Sequence, residues 1–408
     1  MSDTPNWRSR LPGARLPAPG SVKARIAGFE GVRLSVEQAE DSLVAAADRL
    51  APLRAPWARE AFNILAISGG AAGGAYGAGI LVGLTRAGRR PDFAIVTGVS
   101  TGALIAPFAF LGPDWDERLT DAYTGGHAAN LLGLSRLGPG SGAIFRAESL
   151  DRLVSQYVDE TIVEAVAAEH AKGRRLLVAT TDLDRQRTVI WDMGEIASRG
   201  GAAAVGLFRD VLVASASLPG IFPPKRIPCQ ADGVLYEEMH VDGGVSTPLF
   251  LMPEALLRWR KLGQRLSRSR VYAIVNTVLD QAPRTTQNNI AAILIRSFDT
   301  MLRFSYRHAI EVAAAFCASH RLPFSVASIP DPGEAFSMMS FDTASMRRNF
   351  DNAVERAMGE DLWVTPVAEP SIAAGLLEAL KRRPDRAGVV ARNVPRSGAE
   401  EGGTGVET

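Results

Sequence analysis

The sequence predicts an α/β fold: three layers, α/β/α, around a mostly parallel central sheet. Apolar runs of strand length recur at 64–67, 93–96, 176–180, 189–191, 234–236, 271–275 and 324–329. Helical patterns fall near 75–84, 103–106, 148–171, 203–216, 252–262, 289–316, 343–358 and 371–382. Helices alternating with strands imply parallel strands covered on both faces. The first two runs each pass through a glycine-containing turn directly into a helix, as crossover units do.

Composition sets the class. Of 408 residues 46% are hydrophobic and the net charge is +1, which excludes disorder of the whole chain, electrostatic binding of nucleic acid and a bulk charged partner. A chain of this length could hold two or three average domains, yet the informative segments spread across its middle as parts of one large unit. Cys229 and Cys317 are too few and too far apart for a disulfide framework or a thiolate metal site, and no cofactor or metal is expected.

The first 25 residues contain Pro5, Pro12, Pro17 and Pro19 with five basic residues against Asp3, and lack the apolar core of a secretory signal. They read as a mobile basic leader, either simply solvated or in peripheral contact with an anionic membrane surface. Val36, Ala39, Leu43, Ala46 and Leu50 then trace a helical stripe. With it the N-terminal extension runs to residue 58.

The run 64–67 enters Ser68-Gly69-Gly70-Ala71-Ala72-Gly73-Gly74 and then an Ala/Gly-rich helix. Glycines before a helix N-terminus expose backbone amides at the positive end of the helix dipole, a place for phosphate or an oxyanion. The spacing fits neither a P-loop, which ends in Gly-Lys-Ser/Thr, nor Gly-x-Gly-x-x-Gly, since residue 71 is alanine. An oxyanion site for acyl transfer remains. Gly79 and Gly83, within the helix, are expected to let it pack closely on the sheet.

The run 93–96 enters Gly98-Val99-Ser100-Thr101-Gly102, a Gly-x-Ser-x-Gly turn between strand and helix. That context presents Ser100 as a nucleophile, with Gly98 and Gly102 allowing the sharp bend. A plain Gly-Ser turn is the alternative. Further on, His240-Val241-Asp242-Gly243-Gly244 puts a carboxylate at a strand end, where Asp242 could take a proton from a serine, or form an ordinary Asp-Gly turn.

In this order, glycine loop, Ser100 and Asp242, together with the segment Ala214-Ser215-Ala216-Ser217-Leu218-Pro219-Gly220 that follows a helix, resemble the patatin-like phospholipase family. The resemblance covers residues 60 to 255 well and extends loosely to about 330. It implies a catalytic domain over 59–385, with Ser100 as nucleophile and Asp242 as general base of a dyad. It also implies oxyanion donors among Gly69, Gly70, Ala71 and Thr101, and turn support from Gly98, Gly102, Gly243 and Gly244. The family's glycine loop has a further glycine where this chain has Ala71 and an arginine where it has Gly73. Alanine at 71 would be strained if the loop needs positive φ there.

A Ser-Asp-His order would need His308 or His320, neither of which carries a supporting pattern; His308 reads as a helix-surface residue and His240 as structural. Asp182-Leu183-Asp184 reads as a turn between strands. No run spans a bilayer, so a membrane lipid would be approached from the surface, by Phe108, Phe110 or Leu131-Leu132 in the loop 125–142; equally, these read as core residues and a long solvated loop, or the loop as a lid. Residues 386–408, rich in Gly, Glu and Arg, are expected to be a disordered tail. The expected function is metal-independent cleavage of fatty-acyl esters through an acyl-enzyme, at a cytoplasmic or membrane-surface location. A silent lipid-binding scaffold of the same fold and a non-lipid esterase or thioesterase are the alternatives.

Overall fold

The computed structural model describes residues 24–35, 63–132, 147–231, 234–250, 270–280, 283, 285–319, 321–330 and 339–366. Among the described residues nine strands form one sheet: β1 (Arg33–Ser35), β2 (Asn63–Ile67), β3 (Phe93–Val99), β4 (Arg175–Asp182), β5 (Arg187–Asp192), β6 (Lys225–Ala231), β7 (Val234–Asp242), β8 (Val271–Val278) and β9 (Phe324–Ile329). Their order is β1-β5-β4-β3-β2-β8-β9, with β7 between β4 and β6. The run β4-β3-β2-β8-β9 is parallel throughout, while β1, β5, β6 and β7 join antiparallel at one side. The fold is therefore α/β with a mixed, mostly parallel sheet, as the alternating pattern requires.

Helices cover both sides: α1 (Gly74–Arg86), α2 (Thr101–Leu111), α3 (Asp116–Thr124), α4 (Ala147–Tyr157), α5 (Glu160–Ala171), α6 (Met193–Ala197), α7 (Gly201–Ser215), α8 (Ile290–Ser319) and α9 (Thr343–Met358). All seven expected strands form. The helical stretch 148–171 is two helices, because Asp159 breaks the run and caps α5, its carboxylate accepting from Ile162 N at 3.1 Å. The helical expectations at 36–50, 252–262 and 371–382, the leader before residue 24 and the tail at 386–408 lie outside the described residues.

The central strands are buried on both faces, as their unbroken Ile/Val/Leu/Ala composition dictates. The role expected of Gly79 and Gly83 is corrected. A Cβ at Gly79 would meet Ala353 Cβ at 2.8 Å, and one at Gly83 would meet Ala357 Cβ and Val354 O at 2.6 Å. These glycines let α1 approach α9; they do not face the sheet. Asp182 ends β4 and pairs with Arg185 at 2.7 Å across the following turn, as its sequence context suggested. Among the described residues no helix is long and apolar enough to cross a membrane.

Candidate active site

Ser100 sits at the corner between β3 and α2 with φ 57° and ψ −128°, a conformation L-residues adopt rarely and at a cost of about 1–3 kcal/mol. Several contacts hold it there. Its amide donates to Ser215 Oγ at 3.0 Å, and Ser215 donates in turn to Ala179 O on β4 at 2.7 Å. A Cβ at Gly102 would strike the carbonyls of Ile67 and Ser68, and one at Gly98 would come within 2.7 Å of Ala103 Cα. The flanking glycines thus let α2 start tight against the ends of β2 and β3. Helical bonding begins at Ala103 N to Ser100 O, 2.9 Å, leaving the preceding amides of Thr101 and Gly102 as the ordinary orphans of a helix start. The Thr101 hydroxyl is engaged by Tyr123 Oη at 3.1 Å, so only the Thr101 backbone is available for an oxyanion role.

The sheet sets the position of Asp242. Strand β5 occupies one edge of β4 from Leu177 to Asp182. On the other edge β3 pairs as far as Val99 opposite Ala179, and β7 takes over with Asp242 opposite Thr180. Val99, the residue before Ser100, and Asp242 therefore face consecutive residues of one strand, although Ser100 and Asp242 lie 142 positions apart in sequence. Gly243 passes so close to Ala179 O that no side chain fits, and Gly244 N donates to Asp242 Oδ1 at 2.7 Å. Asp242 N donates to Ser217 O at 3.0 Å. The C-terminal end of α7 thus holds both segments, Ser100 through Ser215 and Asp242 through Ser217.

Burial pushes the Asp242 carboxyl up to about 7, with the Ser100 hydroxyl and the Gly244 amide pulling the other way. Its Oδ2 is buried and accepts no hydrogen bond among the described residues. The Ser100 hydroxyl is thus near enough to influence the carboxyl.

The glycine loop closes the third side. Gly70 has φ 151° and Ala71 φ 51°, after which a single 3-10 turn leads into α1. Alanine does occupy a positive-φ position, and the strain expected there is present. The loop is pinned to β8: Asn276 N donates to Ser68 Oγ at 3.0 Å, Asn276 Nδ2 donates to Ser68 O at 2.8 Å, and Asn276 O lies where a Cβ on Gly70 would be. Ser100 Cβ lies 2.9 Å from the corresponding point on Gly69. Ala71, Ser100 and Thr101 share the wall of an apolar cavity of about 870 Å³, open mouth included, whose remaining lining includes Leu104, Phe108, Leu153, Val154, Ile221, Phe222 and Met346.

Residues 65–253 match the family model described as patatin-like phospholipase. The chain carries a patatin-like phospholipase domain. The match spans the glycine loop, the serine elbow and the Asp242 turn. Among solved structures, VipD from Legionella pneumophila is similar at 13% sequence identity and a TM-score of 0.40, over 73% of this chain and 67% of that one. No curated protein matched. A patatin-like domain supports lipid acyl hydrolase activity at the level of the family, with lipid or acyl-ester substrates.

Within the patatin-like domain, His240 is buried between Thr180 Oγ1, 2.9 Å from its Nδ1, and Glu238 Oε2, 3.2 Å from its Nε2, and stacks edge-on against Trp191. It is a structural histidine. His308 is exposed on α8, and His320 lies outside the described residues. Phe108 and Phe110 are buried in α2, which corrects their candidacy as lipid-facing surface, although Phe108 does line the cavity. Leu131-Leu132 end a 3-10 segment, and residues 133–146 of the loop lie outside the described residues. Sequence reasoning missed Asn276 and Tyr306, which reach the glycine loop from beyond the family match. For Ser215 the Ser/Ala run was visible but its clamping role was not.

Proposed function

We propose that this protein is a serine acyl hydrolase that cleaves fatty-acyl esters of lipids, with phospholipids as the leading class, through an acyl-enzyme on Ser100. The observation that carries the proposal is the convergence of two chain segments on β4, Val99 opposite Ala179 and Asp242 opposite Thr180, with Ser100, next to Val99, in the wall of an apolar cavity. Asp242, with its carboxyl near 7, takes the Ser100 proton as Oγ attacks the ester carbonyl. Backbone amides among Gly69, Gly70, Ala71 and Thr101 carry the developing negative charge, each donor being worth about 10²- to 10³-fold in rate. The leaving alcohol takes the proton from Asp242, and water, deprotonated by the same carboxylate, releases the fatty acid. The acyl chain lies in the cavity lined by Leu104, Phe108 and Val154. Approach to a lipid aggregate is from its surface.

The test is labelling with a fluorophosphonate probe, followed by hydrolysis of phospholipid vesicles and of soluble esters with and without a metal chelator. Wild type should label and hydrolyse with or without chelator, and Ser100→Ala should do neither. A folded wild-type protein that does not label would make it a lipid-binding scaffold. Labelling with activity on short soluble esters alone would make it a non-lipid esterase.

A further inference from the structure

The cavity places the acyl chain on one side of Ser100, and a residue far along the chain stands on another. Tyr306 belongs to α8, outside the region of the family match, and is buried. Its Oη lies 2.8 Å from the point a Cβ on Gly69 would occupy, and Ser100 Cβ and Oγ lie 2.9 and 3.5 Å from that same point. The phenol and the serine therefore both border the one small space left by the missing side chain of Gly69. The cavity wall includes Ala71, Ser100 and Thr101, but not Gly69, Asp242 or Tyr306. Tyr306, like Gly69 and Asp242, therefore approaches Ser100 from outside that wall.

We propose that Tyr306 is a further catalytic residue, a phenol that donates a hydrogen bond to the alkoxy oxygen of the departing alcohol. This rests on the acyl-hydrolase reading above. In the acylation step the bond from Ser100 Oγ to the carbonyl carbon forms and the bond from that carbon to the alkoxy oxygen breaks. The Ser100 proton passes to Asp242 and then to the alkoxy oxygen, while Tyr306 keeps its own proton and stabilises the charge that builds there. Burial and the nearby Asp242 carboxyl hold the phenol far above its usual range, so it stays a neutral donor at every working pH. Ser68, beside it, gives the hydroxyl a resting partner when no substrate is present.

The test compares two esters of one fatty acid, an ethyl ester and a p-nitrophenyl ester, in wild type and in Tyr306→Phe. The nitrophenolate leaves without help and the ethoxide does not. Loss of one hydrogen bond to a charged atom is expected to lower kcat on the ethyl ester about 10- to 100-fold at nearly constant KM, with the p-nitrophenyl ester and the fluorophosphonate labelling rate within about twofold of wild type. Equal loss on both esters, or loss on neither, overturns the proposal. Should Tyr306→Phe melt early, fluorotyrosine placed at 306, a stronger donor of nearly the same shape, must narrow the gap between the esters, and an unchanged gap overturns it as well. Wild type that fails to label instead sinks the underlying hydrolase reading.

Discussion

At the scale of single residues, Asp242 has the most measurable signature. Burial keeps its carboxyl protonated up to about pH 7, whereas in the unfolded chain it ionises near 4. Only the ionised form accepts a proton, so kcat/KM should rise with pH through about 7 and fall below it, a limb that a pH–rate profile reads directly. The folding consequence has the opposite sign. Between about 4 and 7 the unfolded state loses a proton that the folded state retains, so this group lowers stability as pH rises through that window. Asp242→Asn should therefore abolish hydrolysis yet raise Tm, more at pH 8 than at pH 4, in paired thermal melts. Such a trade of stability for function is typical of buried catalytic carboxyls. Both Ser100 and Asp242 were legible in sequence because glycines flank them, and glycines at a strand end mark backbone that must turn sharply or approach another chain closely. Tyr306 was not legible: one tyrosine on the buried stripe of a helix reads as core, and nothing local shows what its hydroxyl faces.

Among the elements, α7 has a role larger than its packing. Its last residue supplies Ser215 Oγ to the Ser100 amide, and Ser217, just beyond its end, supplies its carbonyl to the Asp242 amide. Ser215→Ala removes the acceptor from a strained backbone, which should slow fluorophosphonate labelling and lower kcat about tenfold or more while leaving KM near its original value. The α1–α9 contact gives a purely structural counterpart. Gly83→Leu places a side chain against Val354 and Ala357, and such overpacking should cost about 1–3 kcal/mol in denaturant unfolding and spare the active centre except through lost folded protein. Parallel strands were readable as unbroken apolar runs. Strand β6, Lys225–Ala231, was not, because an edge strand that alternates Ile227, Cys229 and Ala231 with charged or polar neighbours and contains Pro228 lacks that signature. Strand β1, at three residues, is too short to show a period. The break before α5 was readable in principle from Asp159-Glu160, a cap followed by an acidic first turn.

For the molecule as a whole, the family match ends at residue 253, but the structure builds the site from both sides of that boundary. Strand β8 contributes Asn276 to the glycine loop and α8 contributes Tyr306. The N-terminal two-thirds holds the residues that local patterns reveal, and the C-terminal third holds those that only tertiary contact reveals, which is why the site was half legible. The cavity also draws on distant elements, with α2, α4, the segment after α7 and α9 all in its wall. Narrowing it at Leu104, one turn from Ser100, should shift preference toward shorter acyl chains: for Leu104→Trp, the ratio of activity on long to short p-nitrophenyl esters is expected to fall about tenfold, with the labelling rate retained. Unchanged chain-length preference would mean that the acyl group lies elsewhere.

The arrangement along β4 makes that strand a ruler. Val99 and Asp242 are read off at successive graduations, Ala179 and Thr180, a spacing fixed by covalent geometry at about 3.3 Å. The cavity wall is assembled from several helices, but the separation of the Ser100 turn and Asp242 is set by the sheet, on a single strand's gauge.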